Sequence, residues 1–506
     1  GKLRELRKPG LNSSPSRPPE GDSCLHIVSG GRLGILPVGL FAALLFVQHL
    51  TGYRLFMSSI AAYKGHIVSP ISTSGSGDYS FIDYPRGLMV VTDGKLTALG
   101  DFDQLSERTD LGAVLRQVPI EDFGKRLIMP GLIDMHLHLP QVTQTAKSGQ
   151  HLLAWLNRYI FPAESKFSDI DYARRIARWF FAELAANGTT LSVVFTTIHK
   201  EACNVAFEEA ARTHSRVIMG KVMMDLNAPA ALCEATQESL TGSMELARKW
   251  HNAHDCLLQY AFTPRFGVTS TPELLSGTGE LWKRFPGTYM HTHLAEAREE
   301  IQTVAGLFPE ARSYMDMYDR FGLAGQRSVF AHAIHLDDGD LDCIKHRGAA
   351  LAHCPSSNFF LKSGVFAYNR VRQCGCLFGL GSDVAAGPHM SLFEVMKDAN
   401  FIQPDDWIEP RELIYRSTLG GARALYMDGV VGSLEVGKEA DFVVLDPSAK
   451  TGVVDDILDQ PTDEILSCLV FLGDDRIVER TYVRGRLIFS KALQETGNLA
   501  SVNLAG

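Results

Sequence analysis

Eight short apolar runs recur between residues 132 and 382, many of them separated by stretches with helical periodicity, and this alternation limits the fold more than any other feature. They are Leu132–Met135, Thr189–Phe195, Arg216–Met224, Leu257–Pro264, Thr288–His293, Ser328–His332, Ala349–Cys354 and Cys376–Ser382. Strands that read as continuous apolar runs are buried on both faces, as in a parallel sheet covered by helices. One intervening helix is expected over 168–187, where Ser168 and Asp171 make a capping-box-like start and Gly188 follows the end. Eight βα units in roughly 290 residues is the size of an α/β (β/α)8 barrel of TIM type. A doubly wound sheet would alternate in the same way, so the placement of chemistry-bearing residues must separate the two.

Both flanks read as β structure. The stretch Gly87–Gly100 is β-rich and breaks at Asp93-Gly94, a hairpin signal. Ala440–Asp446 is a short apolar strand and Thr481–Phe489 a second hairpin. Strands at both ends of an α/β middle imply a small β-sandwich domain built from N- and C-terminal segments. The expected division is 57–128 and 429–492 for that domain, 129–428 for the barrel and 493–506 for a tail. Residues 1–34, rich in Arg, Pro, Gly and Ser, are poor core formers. Ile35–Val47 is apolar but contains Pro37 and Gly39 and is only 13 residues long, whereas a membrane span needs about 20. Three readings compete here: a signal peptide or anchor, a helix covered by protein, and an extension outside the working protein. The third is favoured because Met57 is the first methionine, so residues 1–56 are expected to be disordered or foreign to the native chain.

Composition removes several function classes. With 49 Lys and Arg against 58 Asp and Glu the net charge is −9, which offers neither a basic groove for nucleic acid nor a cationic face for an anionic membrane. Nine cysteines in 506 residues are too sparse for a disulfide framework and favour a reducing compartment. Cys374-Gly375-Cys376 has no second pair nearby and reads as ordinary burial. No P-loop or GxGxxG follows a strand.

The histidines separate barrel from open sheet. His136 and His138 follow the first run, and residues i and i+2 of an extended segment share a face. His291-Thr292-His293 closes the fifth run with Glu296 three residues on, His332 closes the sixth, and Asp383 the eighth. Strand C-termini converge on one site in a barrel. Imidazole and carboxylate suit Zn²⁺, leaving room for a water whose pKa falls to about 7; Fe²⁺ or Mn²⁺ would accept the same ligands. His291 is expected one repeat deeper on the face of His293, and His335 to be a cap or surface residue. His353 and Asn358 are expected to shape a pocket rim. His199 reads equally as a substrate contact or as packing, and Trp155 as core or dimer surface.

Pro130-Gly131-Leu132-Ile133-Asp134-Met135-His136-Leu137-His138 resembles the opening signature of the amidohydrolase superfamily, and Gly432–Phe442 resembles its return to the β-domain. More narrowly, Trp155-Leu156, the Phe161-Pro162-Ala163-Glu164 run, Thr263-Pro264-Arg265-Phe266, His353–Asn358 and Gly379–Gly387 resemble the guanine deaminase family, the likeness running from about residue 60 to 490. The resemblance implies that His136, His138, His293 and Asp383 hold one zinc ion per chain. It makes Glu296 a proton shuttle and His332 the residue that orients or deprotonates the water. Gln141, Arg265 and Phe266 would hold a purine, with His138, His293, Glu296 and Asp383 against it. The implied reaction is hydrolysis of guanine to xanthine and ammonia by a cytosolic homodimer with no nucleic-acid or membrane partner. Ser382, Ala386 and His291 depart from the family's usual Thr, Gly and Gln, which touches loop detail only. Arg265 can donate to a purine carbonyl and would meet the amino group of adenine as donor against donor, a mismatch of about 1–3 kcal/mol. A second metal would need a bridging lysine at the end of the fourth strand, where Thr263-Pro264-Arg265 stands; Lys221 becomes that lysine only if the strand count is off by one. Two alternatives stand beside this: an aminohydrolase of another amino-heterocycle, such as a pterin or triazine, and a retired barrel serving as a scaffold.

Overall fold

The computed structural model describes residues 59–73, 78–147, 151–450 and 456–495. The apolar segment Ile35–Val47 and most of the expected tail lie outside these. Among the described residues no helix is long and apolar enough to cross a membrane.

The chain enters through four strands, β1 (Ile60–Ser72), β2 (Tyr79–Thr92), β3 (Lys95–Asp101) and β4 (Ile120–Pro130). It continues through β5 (Leu132–His138), β6 (Thr189–Phe195), β7 (Arg216–Gly220), β8 (Val222–Met223), β9 (Leu258–Pro264), β10 (Tyr289–Leu294), β11 (Ser328–His332), β12 (Ala350–His353) and β13 (Leu377–Leu380). It leaves through β14 (Phe442–Leu445), β15 (Val478–Val483) and β16 (Arg486–Ser490).

All eight apolar runs form strands. They lie parallel in the order β5-β6-β7-β9-β10-β11-β12-β13. The third run divides at Lys221 into β7 and β8, both paired with β9. The segment after β13 returns to β5: Asp383 N–H donates to the His136 carbonyl (2.8 Å) and His138 N–H to that of Val384 (3.1 Å). These bonds bring the two ends of the sheet together as a barrel. The strands alternate as period 2 requires. Val217 and Met219 pack with Phe180, Phe181 and Phe207 of the helical layer, whereas Ile218 packs with Leu191, Val193, Ala261, Val329, Ala331 and Ala350 of other strands. The expected first helix runs Ile170–Ala186 and is capped by Asp169, not Ser168. The Asp169 carboxylate accepts from the Asp171 and Tyr172 N–H groups, where a negative charge also meets the positive end of the helix.

The flanking strands form one seven-stranded sheet, β16-β15-β14-β4-β1-β2-β3, built from both ends of the chain. Its two tight hairpins turn at Asp93-Gly94 (φ 49° and 78°) and Arg484-Gly485 (φ 50° and 67°), the positive-φ pairs of a type I′ turn. Gly131 joins β4 to β5. A Cβ there would lie 2.0 Å from Thr190 Oγ1, so glycine leaves room for the Thr190 side chain. The sheet is fastened to the barrel by Arg216, fully buried at the start of β7, whose Nε and Nη2 donate to Asp441 (2.8 and 3.1 Å).

Candidate active site

His136 and His138, two residues apart in β5, point the same way. Each Nε2 lies 3.2 Å from Asp383 Oδ1. His293 comes from β10, and its Nε2 lies 3.1 Å from that of His138. His293 Nδ1–H donates to the Arg265 carbonyl (2.7 Å), which leaves Nε2 as the lone-pair nitrogen. His136 Nδ1 shares a hydrogen bond with His291 Nε2 (2.8 Å), so His291 stands behind His136 and sets its ring. Phe195, at the end of β6, lies against four of these rings, with centroids 4.4 to 5.5 Å away.

All of these groups are buried. Burial drives His138 down to about 3 and His293 well below the ordinary histidine value, so both rings are neutral. For Asp383 burial favours the neutral acid, but the imidazoles of His136 and His138 beside it outweigh that and hold the carboxyl well below the usual range. Neutral imidazole nitrogens facing one another at hydrogen-bond distance, with the buried His136 Nε2 lacking an aligned partner and a carboxylate at their centre, have lone pairs in excess of protons. The ligand nitrogens of His136, His138 and His293 lie within 4.8 Å of one another. Three imidazole nitrogens and one carboxylate oxygen are a donor set that fits a divalent ion such as zinc.

His332 reaches the same place by a different route. It shares strand parity with Phe330, whose ring lies 5.5 Å from Tyr318, but its φ of +68° breaks the alternation at the end of β11. Its Nδ1–H donates to Asn358 Oδ1 (2.9 Å), and its Nε2 stands 3.5 Å from Glu296 Oε2 and 3.7 Å from Asp383 Oδ2. Burial opposes a charge on His332, but the carboxylates of Glu296 and Asp383 prevail and raise its pKa. Burial pushes the Glu296 carboxyl up to about 7, and Ser363 Oγ–H holds its Oε1 at 3.2 Å. Asp134 ties β5 to the segment after β13, accepting from Ser382 Oγ–H (2.5 Å) and N–H (3.0 Å). The serine at 382 thus keeps the hydroxyl that this contact needs.

These side chains open into one small cavity. Of the residues expected in the site, Gln141, Arg265, Phe266, His138, His293, Glu296, His332 and Asp383 line it, and His136 lies just behind. Leu152, Trp155, Leu156, Leu361 and Ala386 complete the wall, which resolves Trp155 as a cavity residue. His199 is not among the lining residues. His353 is fully buried and stacked on Phe366 (4.4 Å), and Asn358 sits behind His332, so neither forms a rim. His335 Nε2–H donates to the Ser363 carbonyl (3.0 Å), a structural contact. Lys221 is not among the lining residues and its Nζ rests on Glu234; β9, which ends in Thr263-Pro264, is fourth in the strand order. Glu164 was not expected here: both its oxygens accept from Arg265 Nη1 (2.9 and 2.7 Å) and Oε1 also accepts from Gln141 Nε2 (3.0 Å). Its one signal in the sequence was its place in the Phe-Pro-Ala-Glu run.

The model of the amidohydrolase family matches residues 127–488. The chain is 36% identical over 409 residues to the guanine deaminase of Escherichia coli, covering 80% of this chain and 91% of that protein. The solved E. coli guanine deaminase superposes with a TM-score of 0.81 at 34% identity, over 85% of this chain and all of that one. The C. acetobutylicum guanine deaminase, solved with guanine in its active site, gives 0.77 at 31% identity over the same share of this chain and all of its own. With the barrel, the histidine pair on its first strand and the aspartate after its last, these likenesses establish that the chain belongs to the amidohydrolase family.

Proposed function

We propose that the chain is a metal-dependent guanine deaminase, converting guanine and water to xanthine and ammonia. One observation carries this reading: an N₃O donor set, a buried carboxyl near neutrality, and Arg265 and Gln141 joined through Glu164 gather at one small cavity. Likeness to guanine deaminases over nearly their whole length supports the choice of substrate.

His136, His138, His293 and Asp383 are the residues that would hold the ion, and zinc is the metal their chemistry favours. When bound, the ion supplies Lewis acidity that brings water's pKa near 7. The remaining work belongs to the chain. Glu296 takes a proton from the water as its oxygen adds to C2 of guanine, and passes that proton to ring nitrogen N3. It then carries the water's second proton to the exocyclic amine, so that the C2–N bond breaks with loss of neutral ammonia while the C2 carbonyl forms. A carboxyl near 7 can both hold and release a proton at neutral pH. His332, its ring set by Asn358, orients the water between Glu296 and Asp383. Arg265 donates to the purine carbonyl, and Phe266 and Trp155 wall the ring.

The test is incubation with guanine, following its ultraviolet loss and the appearance of xanthine. Stoichiometric ammonia, abolished by a chelator and restored by Zn²⁺, is expected. A metal-loaded protein that releases no ammonia from guanine refutes the reading, and faster turnover of a pterin or triazine would move the substrate.

A further inference from the structure

We propose that Glu164 sets substrate selectivity, by fixing Gln141 as an acceptor beside Arg265 as a donor so that the cavity reads an N–H next to a carbonyl. This rests on the reading of the cavity as a purine site.

Glu164 is the last residue of a short helix, Phe161–Glu164, that follows a π-helical turn over Leu156–Ile160, a rare geometry enriched at functional sites. Glu164, Gln141 and Arg265 are each at most 3% exposed. A carboxylate paired with a guanidinium offers lone pairs only. Gln141 must therefore present its NH₂ to Glu164, and the atom left over is its carbonyl Oε1. Arg265 uses Nη1 on both carboxylate oxygens, which leaves other N–H groups as donors. The two heads meet on the same oxygen, Glu164 Oε1, at 3.0 and 2.9 Å, so the acceptor of one and the donors of the other are neighbours. Both side chains line the cavity. The ion pair also cancels the charge of Arg265, so the cavity favours a neutral ring over an anion.

An acceptor beside a donor complements a lactam edge. Guanine and hypoxanthine carry that edge as N1–H and C6=O. Adenine reverses both groups, with a lone pair at N1 and an amine at C6. Without the carboxylate, nothing holds the Gln141 amide in one orientation, and turned over it offers a second donor that suits adenine's N1.

Hypoxanthine and adenine both lack the 2-amino group, so their binding to the metal-loaded protein reads recognition apart from guanine turnover. Competition binding should favour hypoxanthine by about tenfold or more in the wild type, the loss expected from a buried hydrogen-bond mismatch. In Glu164→Gln the new amide can donate to Gln141 Oε1, and the preference should fall to about twofold or less with metal content unchanged. A folded, metal-loaded Glu164→Gln that keeps the full preference overturns the inference. Should that variant not fold, the wild-type complex with hypoxanthine decides: Gln141 Oε1 facing the ligand N–H supports it, and Nε2 facing the ligand overturns it. A wild type that deaminates guanine yet binds the two purines equally defeats this inference alone. Failure to bind any purine or to turn over guanine defeats the reading of the site as well.

Discussion

Replacing Glu296 by glutamine isolates proton transfer from everything else the site does. The two side chains are nearly isosteric, and the amide oxygen can still accept from Ser363 Oγ–H as Oε1 does now at 3.2 Å. Glu296 is not in the N₃O donor set, so metal content should not change. What disappears is a buried carboxyl poised near pH 7 and able to move two protons per turnover. General acid–base catalysis contributes about 10²–10⁴ in rate, or roughly 2.7–5.5 kcal/mol of barrier. Steady-state kinetics on guanine, with metal quantified in the same preparation, should therefore show kcat down by about that factor and KM within severalfold of wild type. The melting temperature should be equal or higher, since a neutral amide is easier to bury than a carboxyl that ionises. A fully metal-loaded Glu296→Gln with kcat within about tenfold of wild type would remove Glu296 from the proton path.

Asp441→Ala should cost about 3 kcal/mol in urea denaturation, because it strips a fully buried Arg216 of its bidentate partner; Glu439 remains on Arg216 and keeps the loss at the lower end of the usual range, and a loss under about 1 kcal/mol would refute the clamp. Burial lowers the His353 pKa to about 3, so as pH falls below the ordinary histidine value of about 6.5 the unfolded chain takes up a proton that the folded chain refuses, and stability drops. The slope is about 1.4 kcal/mol per pH unit. His353→Phe keeps the stacking on Phe366 without the titration, so its stability loss between pH 7 and 5 should be smaller by roughly 2 kcal/mol; parallel pH profiles would contradict this. Elemental analysis should find one divalent ion per chain, with His293→Ala losing it, because Lys221 is held by Glu234 and cannot bridge a second metal; two ions per chain would break that reading.

Much of this protein was legible in the residue string because the relevant signals are local. A strand's period of two put His136 and His138 on one face, continuous apolar runs marked strands buried on both sides, and Asp93-Gly94 named its own turn. The order of the histidines and Asp383 at strand ends favoured a barrel, since that fold brings the C-terminal ends of all its strands, the first and the last included, to one face. Local patterns say nothing of which distant side chains meet. Glu164 and Arg265 are 101 residues apart, and Arg216 and Asp441 are 225 apart. His332 needed a left-handed backbone to leave its strand's alternation. Asn358 and His291 take their meaning from the rings they touch. The chain sequence thus determined the strands, the turns and a donor set suited to a metal ion. Barrel closure decided which buried polar groups pair and which atoms remain to face a ligand, because a buried polar group must find its partner wherever the folded chain supplies one.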